Sequence, residues 1–127
     1  MDSNETRGEL NELQQLVRAE IDAYVYEVPR GGVGNPWSAE KVRAGLEDMR
    51  SAVVPPYWTE VEIRDTFEQC SGEARLLQRC AVVADNQAGT LLLWDPKGRE
   101  FFLAERRHGR LISFGVRGDA VGCYLAI

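Results

Sequence analysis

Residues 74–127, ARLLQRCAVVADNQAGTLLLWDPKGREFFLAERRHGRLISFGVRGDAVGCYLAI, read as five apolar runs broken by turn chemistry. The runs lie at 76–83, 90–94, 100–105, 111–116 and 120–127. Between them stand Asp85-Asn86-Gln87-Ala88-Gly89, Asp95-Pro96-Lys97-Gly98, Arg107-His108-Gly109 and Arg117-Gly118-Asp119. Short apolar runs at this spacing, each closed by Gly, Asn, Asp or Pro, predict an antiparallel meander. In the last run Val121, Cys123, Leu125 and Ile127 alternate with Ala120, Gly122, Tyr124 and Ala126. That alternation predicts a final strand, with a small-residue face that a helix can approach closely.

Working back from the meander, Thr59, Val61 and Ile63 alternate with Glu60, Glu62 and Arg64. This is the pattern of a strand with one wet face, compatible with an extension to Phe67. Pro55-Pro56 precede it and neither continue a helix nor pair in a central strand. A helix is expected before them. Ser38 is a good N-cap, Glu40 suits the helix dipole, and Trp37 and Val42 have the spacing of a hydrophobic staple. Val42, Leu46, Met49 and Val53 form its buried stripe, and Gly45 weakens it by about 1 kcal/mol relative to Ala.

Further back, Leu10, Leu13, Val17, Ile21, Tyr24 and Val28 recur at steps of three and four, with Leu16 and Val25 beside them. An amphipathic helix from Gly8 follows, with Glu9, Glu12, Gln15, Glu20 and Asp22 on its wet face. Pro29 stops it. Residues 1–7 are polar and expected to be disordered. The expected fold is α+β, one domain over 1–127, with two N-terminal helices packed on one face of a five- or six-stranded antiparallel meander sheet. Leu13, Val17, Ile21, Val42, Leu46, Met49, Val61, Val82, Leu92, Phe102, Ile112 and Leu125 are its expected core.

Two N-terminal helices followed by a C-terminal meander resemble, as a layout, the small immunity proteins of bacterial toxin systems. Size and acidity are also similar to those of a type III secretion chaperone, although such chaperones interleave helices with strands. Neither resemblance rests on a motif.

Composition is ordinary for a globular chain, 44% apolar and 28% charged. No apolar stretch reaches the roughly 20 residues a membrane-spanning helix needs, and no secretory signal pattern opens the chain. A cytoplasmic location and no membrane partner are expected. The net charge of −5 is uneven. Residues 1–70 hold 14 acids and 7 bases, and residues 71–127 hold 6 acids and 8 bases. An acidic helical half lacks the basic footprint nucleic acid requires. It suits a basic protein partner.

No catalytic set assembles from the sequence. His108 is the sole histidine and falls at an expected hairpin tip, poorly placed for general acid–base work. Cys70, Cys80 and Cys123 show no C-x-x-C spacing. Cys80 and Cys123 lie in apolar strands where a thiol behaves as a small hydrophobe. The pairs Glu60/Glu62 and Glu47/Asp48 are explained by solvated faces. Arg30-Gly31-Gly32-Val33-Gly34-Asn35-Pro36 is Gly-rich but lacks phosphate-loop spacing. No metal or cofactor is expected.

What remains is binding chemistry. Trp37, Tyr57 and Trp58 are candidate anchors. Glu40, Glu47, Asp48, Glu60 and Glu62 are candidate steering charges for a basic partner. Arg99, Arg106, Arg107 and Arg110, with Lys97, form a basic cluster able to hold an anion. The expected function is a non-enzymatic binding module, of the inhibitor or immunity type, that neutralises a basic toxin or effector. The alternatives are a small-molecule-binding or hydrolase- or isomerase-like protein with its site in the sheet concavity, and a secretion-chaperone-like acidic protein. Monomer and homodimer are both open.

Overall fold

The computed structural model describes residues 3–25, 37–64, 66 and 76–127. Two helices, α1 (Ser3–Ala23) and α2 (Ala39–Ala52), precede five strands. The strands are β1 (Val53–Glu62), β2 (Leu77–Asp85), β3 (Thr90–Asp95), β4 (Glu100–Arg107) and β5 (Arg110–Gly118), and a short helix α3 (Ala120–Leu125) follows. Successive strands pair antiparallel. The α+β layout and the meander are those expected. The meander curls further and closes into a barrel, through a parallel contact between β1 and β5 at Glu62 and Ile112.

Closure has a visible cause. Register shifts fall between Val53 and Tyr57, Val82 and Ala84, and Phe102 and Ala104. Bulges of this kind bend a strand and increase its twist. The first holds Pro55-Pro56, which lie inside β1 rather than before it. A bulge is the place where a sheet tolerates residues without an N–H.

A closed sheet creates two apolar compartments. Val61, Ile63, Cys80, Val82, Leu91, Leu93, Phe102, Ala104 and Leu111 fill the barrel interior. Ala81, Val83, Leu92, Phe101 and Leu103 face outward and are covered by Leu13, Val17 and Ile21 of α1, Met49 and Ala52 of α2, and Ala120, Val121, Cys123 and Tyr124 of α3. The central strands are therefore buried on both faces. Of the expected core, Leu46, Ile112 and Leu125 are half-buried.

Both ends of α1 move, and one element changes type. α1 begins at Ser3, earlier than the apolar stripe marks, because periodicity cannot detect a polar first turn. It ends at Ala23, so Tyr24 and Val25 leave the helix; Val28 and Pro29 lie outside the described residues, as do Asp65, Phe67, Cys70 and the Gly-rich loop. α2 starts after Ser38, whose hydroxyl accepts the Lys41 N–H at 3.1 Å. Trp37 places its ring 5.2 Å from Lys41 Nζ.

The third change is the largest: the expected sixth strand is a helix. Asp119 caps it, accepting the Gly122 N–H at 3.0 Å. Ala120, Val121, Cys123 and Tyr124 are buried, a helical spacing rather than an alternating one. Glu20 of α1 reaches across and accepts the Val121 N–H at 2.7 Å. Glu20 is thus half-buried rather than on the wet face, and burial raises its pKa despite that hydrogen bond. Gly45 faces α3 here: a Cβ on it would stand 2.5 Å from Leu125 Cδ2, and that side chain would have to shift. Asp119→Ala is expected to lower stability by about 1 kcal/mol, the usual loss for an N-cap. The check is a reduced urea midpoint with an unchanged m-value.

Candidate functional site

The hairpin between β4 and β5 turns at His108 and Gly109, with φ of 51° and 76°. Positive φ at both central residues is the tight-hairpin geometry. His108 is exposed there, as the sequence predicts. The turn between β3 and β4 is organised by Asp95, which accepts the Lys97 and Gly98 N–H groups at 2.8 and 3.1 Å.

The residues singled out by sequence do not form one face; they divide among three depressions. The first lies between α2 and α3 and holds Trp37, Lys41, Gly45, Asp48, Asn86, Tyr124, Leu125 and Ile127 around about 210 Å³. Asp48 accepts the Tyr124 hydroxyl at 2.5 Å. Burial, reinforced by that carboxylate, pushes the Tyr124 phenol above its ordinary value. Glu40 and Glu47 are exposed on the same helix. α2 carries three acids and three bases, however, so it is neutral. α1 carries five acids and two bases and holds most of the helical acidity.

The second depression is a groove of about 450 Å³ between α1 and the barrel. Its walls are Glu9, Leu10, Glu12, Leu13 and Leu16 of α1, Trp58 of β1, Trp94 of β3, and Pro96 and Arg99 of the following turn. Leu16 is 50% exposed, high for a leucine beside a core. Trp58 is half-buried against the helix-side core and carries Arg79 above its ring at 5.1 Å. Trp94 packs on Phe101 with ring centroids 4.9 Å apart. Of the candidate residues, Trp58 and Arg99 belong here. Glu9, Glu12 and Leu16 were not among them. Their signal is the i, i+3, i+7 spacing, which puts two acids and a leucine on one helical stripe.

The third is a cleft of about 360 Å³ where β1 meets the β4–β5 hairpin, lined by Tyr57, Thr59, Glu60, Glu62, Leu77, Arg106, Gly109, Arg110 and Leu111. It joins members of the acidic set to members of the basic set. Glu60 is exposed, but Glu62 corrects the solvated-face reading: it is 3% exposed. Arg64 Nε lies 2.7 Å from its Oε2, and Arg110 lies 3.7 Å from its Oε1. Arg107 stands apart, 2.6 Å from Glu105, and lines a separate depression with Phe114.

Neither of the two described cysteines presents a nucleophile. Cys80 is sealed in the barrel interior. Cys123 points its thiol at the Phe101 carbonyl, 3.7 Å away. Burial, with the acids Asp119, Glu100 and Glu20 nearby, pushes its pKa up to about 11, which disfavours the thiolate. Among the described residues no group of three or more His, Cys, Asp or Glu side chains is placed to hold a metal ion. No helix among them is long and apolar enough to cross a membrane. No protein-family model, curated protein or solved structure matches the chain.

Proposed function

We propose that this chain is a protein-binding module that receives a basic amphipathic helix of a partner in the groove between α1 and the barrel. The observation that carries the reading is an apolar floor flanked by two acids on the α1 side, with Arg99 on the opposite, turn side. Leu16, Trp58 and Trp94 offer the apolar contact, and Glu9 and Glu12 flank it on α1. An amphipathic helix laid into such a groove buries its apolar face and places its lysines or arginines at the rim. Rim charges mainly accelerate encounter, whereas buried aromatic anchors slow dissociation. The biological form of this reading is an inhibitor or immunity-type protein that neutralises a basic toxin or effector. The steering role moves from Glu40, Glu47, Asp48, Glu60 and Glu62 to α1, because α2 is electrically balanced and Glu60 and Glu62 line a separate cleft. Trp58 keeps its role as anchor.

The test uses two designed amphipathic helices of equal apolar content, one with lysine and one with glutamate on its polar face. Binding is followed by stopped-flow tryptophan fluorescence. The lysine helix is expected to bind and the glutamate helix is not. Glu9→Lys with Glu12→Lys should slow association roughly tenfold and flatten its salt dependence. Unaltered kinetics in that double variant, or equal binding of both helices, would exclude the groove as the docking site.

A further inference from the structure

The cleft at the barrel seam has no part in the groove reading and carries an inference of its own. β1 and β5 pair in parallel at a single point, Glu62 and Ile112, where β1 ends. The earlier part of β1 therefore faces the β4–β5 hairpin across a gap instead of a ladder. Tyr57 and Leu77 line that gap while staying 44% and 48% exposed.

The hairpin arginines differ in how they are held. Arg107, outside the cleft, sits 2.6 Å from Glu105. Arg106 and Arg110, inside it, lie 3.9 Å from Asp85 and 3.7 Å from Glu62. These two separations exceed hydrogen-bonding distance. Both forks thus keep N–H donors for a carboxylate, a geometry arginine suits well. Glu62 is already engaged by Arg64 and fixes the floor. Glu60 is exposed and is the accessible acid of the lining. The cleft therefore offers two guanidinium groups, one accessible carboxylate and two apolar side chains. Its volume lies within the roughly 300–1,000 Å³ of ordinary small-ligand sites.

We propose that the seam cleft binds a small amphoteric molecule with an apolar body, of which a free apolar α-amino acid is the simplest case. Its carboxylate would meet Arg106 and Arg110, its ammonium Glu60, and its side chain Tyr57 and Leu77. A purely anionic ligand would be repelled by Glu60, and a purely cationic one by the arginines.

The probes are L-phenylalanine, 3-phenylpropionate, which lacks the ammonium, and 2-phenylethylamine, which lacks the carboxylate. Binding is read from amide chemical shifts by NMR. Phenylalanine should give saturable shifts at Tyr57, Glu60, Leu77, Arg106 and Arg110, and either half-ligand should bind at least roughly tenfold more weakly. Arg106→Ala, at an exposed position, should weaken phenylalanine roughly tenfold, while Arg107→Ala should leave it unchanged. Shifts that fail to saturate, that map elsewhere, or that survive Arg106→Ala would overturn the proposal. So would 3-phenylpropionate binding as tightly as phenylalanine, since the cleft would then be a plain anion site.

Discussion

Phe102→Ala is expected to lower the stability of the protein by about 3–5 kcal/mol, the range for removing a fully buried phenylalanine. Phe102 is completely buried and is the bulkiest residue of the barrel interior. Its neighbours there include Cys80 and Ala104, which are too small to fill the space it would leave. The walls cannot collapse either, because β3, β4 and β5 are tied by backbone ladders on both sides of it. The guanidinium of Arg117 lies 4.7 Å from the ring and would lose its apolar support as well. Total stabilities of such chains are about 5–15 kcal/mol, so the variant should be marginal. Urea unfolding followed by circular dichroism measures the loss. A loss below about 1.5 kcal/mol would mean that the interior is not packed around this ring, since truncations that small belong to sites that relax.

The same interior explains what could be read from the sequence. The turn chemistry located the β2–β3, β3–β4 and β4–β5 hairpins, because Asp, Asn and Gly act locally. Closure was also written there. Ala81-Val82-Val83-Ala84, Leu91-Leu92-Leu93 and Phe101-Phe102-Leu103-Ala104 are apolar at successive positions. A strand with one wet face alternates; a strand buried on both faces does not. Read for both faces, these runs point past an open sheet to a curled one with helices outside. Residues 120–127 are a different case. An apolar run this short fits strand and helix equally, and the deciding sign is Asp119, a capping residue just ahead of it.

The candidate site was less legible, because burial of a charge depends on partners distant in sequence. Glu20 meets the Val121 N–H, 101 positions away. Glu62 is engaged by its neighbour Arg64, but it is also faced by Arg110 from the far side of the barrel seam. On paper each looks like one more solvated acid. The charge split between the two halves is real, but it merges two helices of unequal charge. Once α2 is seen to be neutral and α1 acidic, the apolar groove beside α1 becomes the better place for a basic partner.

Asp95→Ala is expected to cost about 3 kcal/mol, near the lower end of the loss for removing one partner of a buried ion pair. Asp95 is 5% exposed. It accepts the Lys97 and Gly98 N–H groups, the Gln78 amide at 2.5 Å and the Arg117 guanidinium at 2.7 Å. Truncation would strand the donors from β2, β5 and the β3–β4 turn together. Arg117 retains Glu100 at 3.4 Å, which places the loss at the lower end. Asp95→Asn keeps the shape and some acceptor capacity but loses the charge, so about half of that loss is expected. The pH dependence separates this charge from mere packing. Burial works to raise the Asp95 pKa, but the Gly98 N–H, Arg117, Gln78 and the Lys97 N–H outweigh it and hold the carboxyl below its ordinary 3.8. A carboxyl depressed by folding stabilises the folded state above its unfolded value, and that contribution disappears as pH falls through the folded value. Glu20 acts in the opposite sense. Its raised pKa makes protonation favour the folded state as pH drops toward it from above. The stability difference between wild type and Asp95→Asn should therefore be level at neutral pH and shrink steeply in strong acid. Glu20→Gln should instead remove a stability gain at milder acidity. Urea titrations of the three proteins across acid pH measure both effects. A wild-type to Asp95→Asn difference that stays constant through the acid range would show that the carboxylate's charge plays no part in holding the turn and the β5 arginine together.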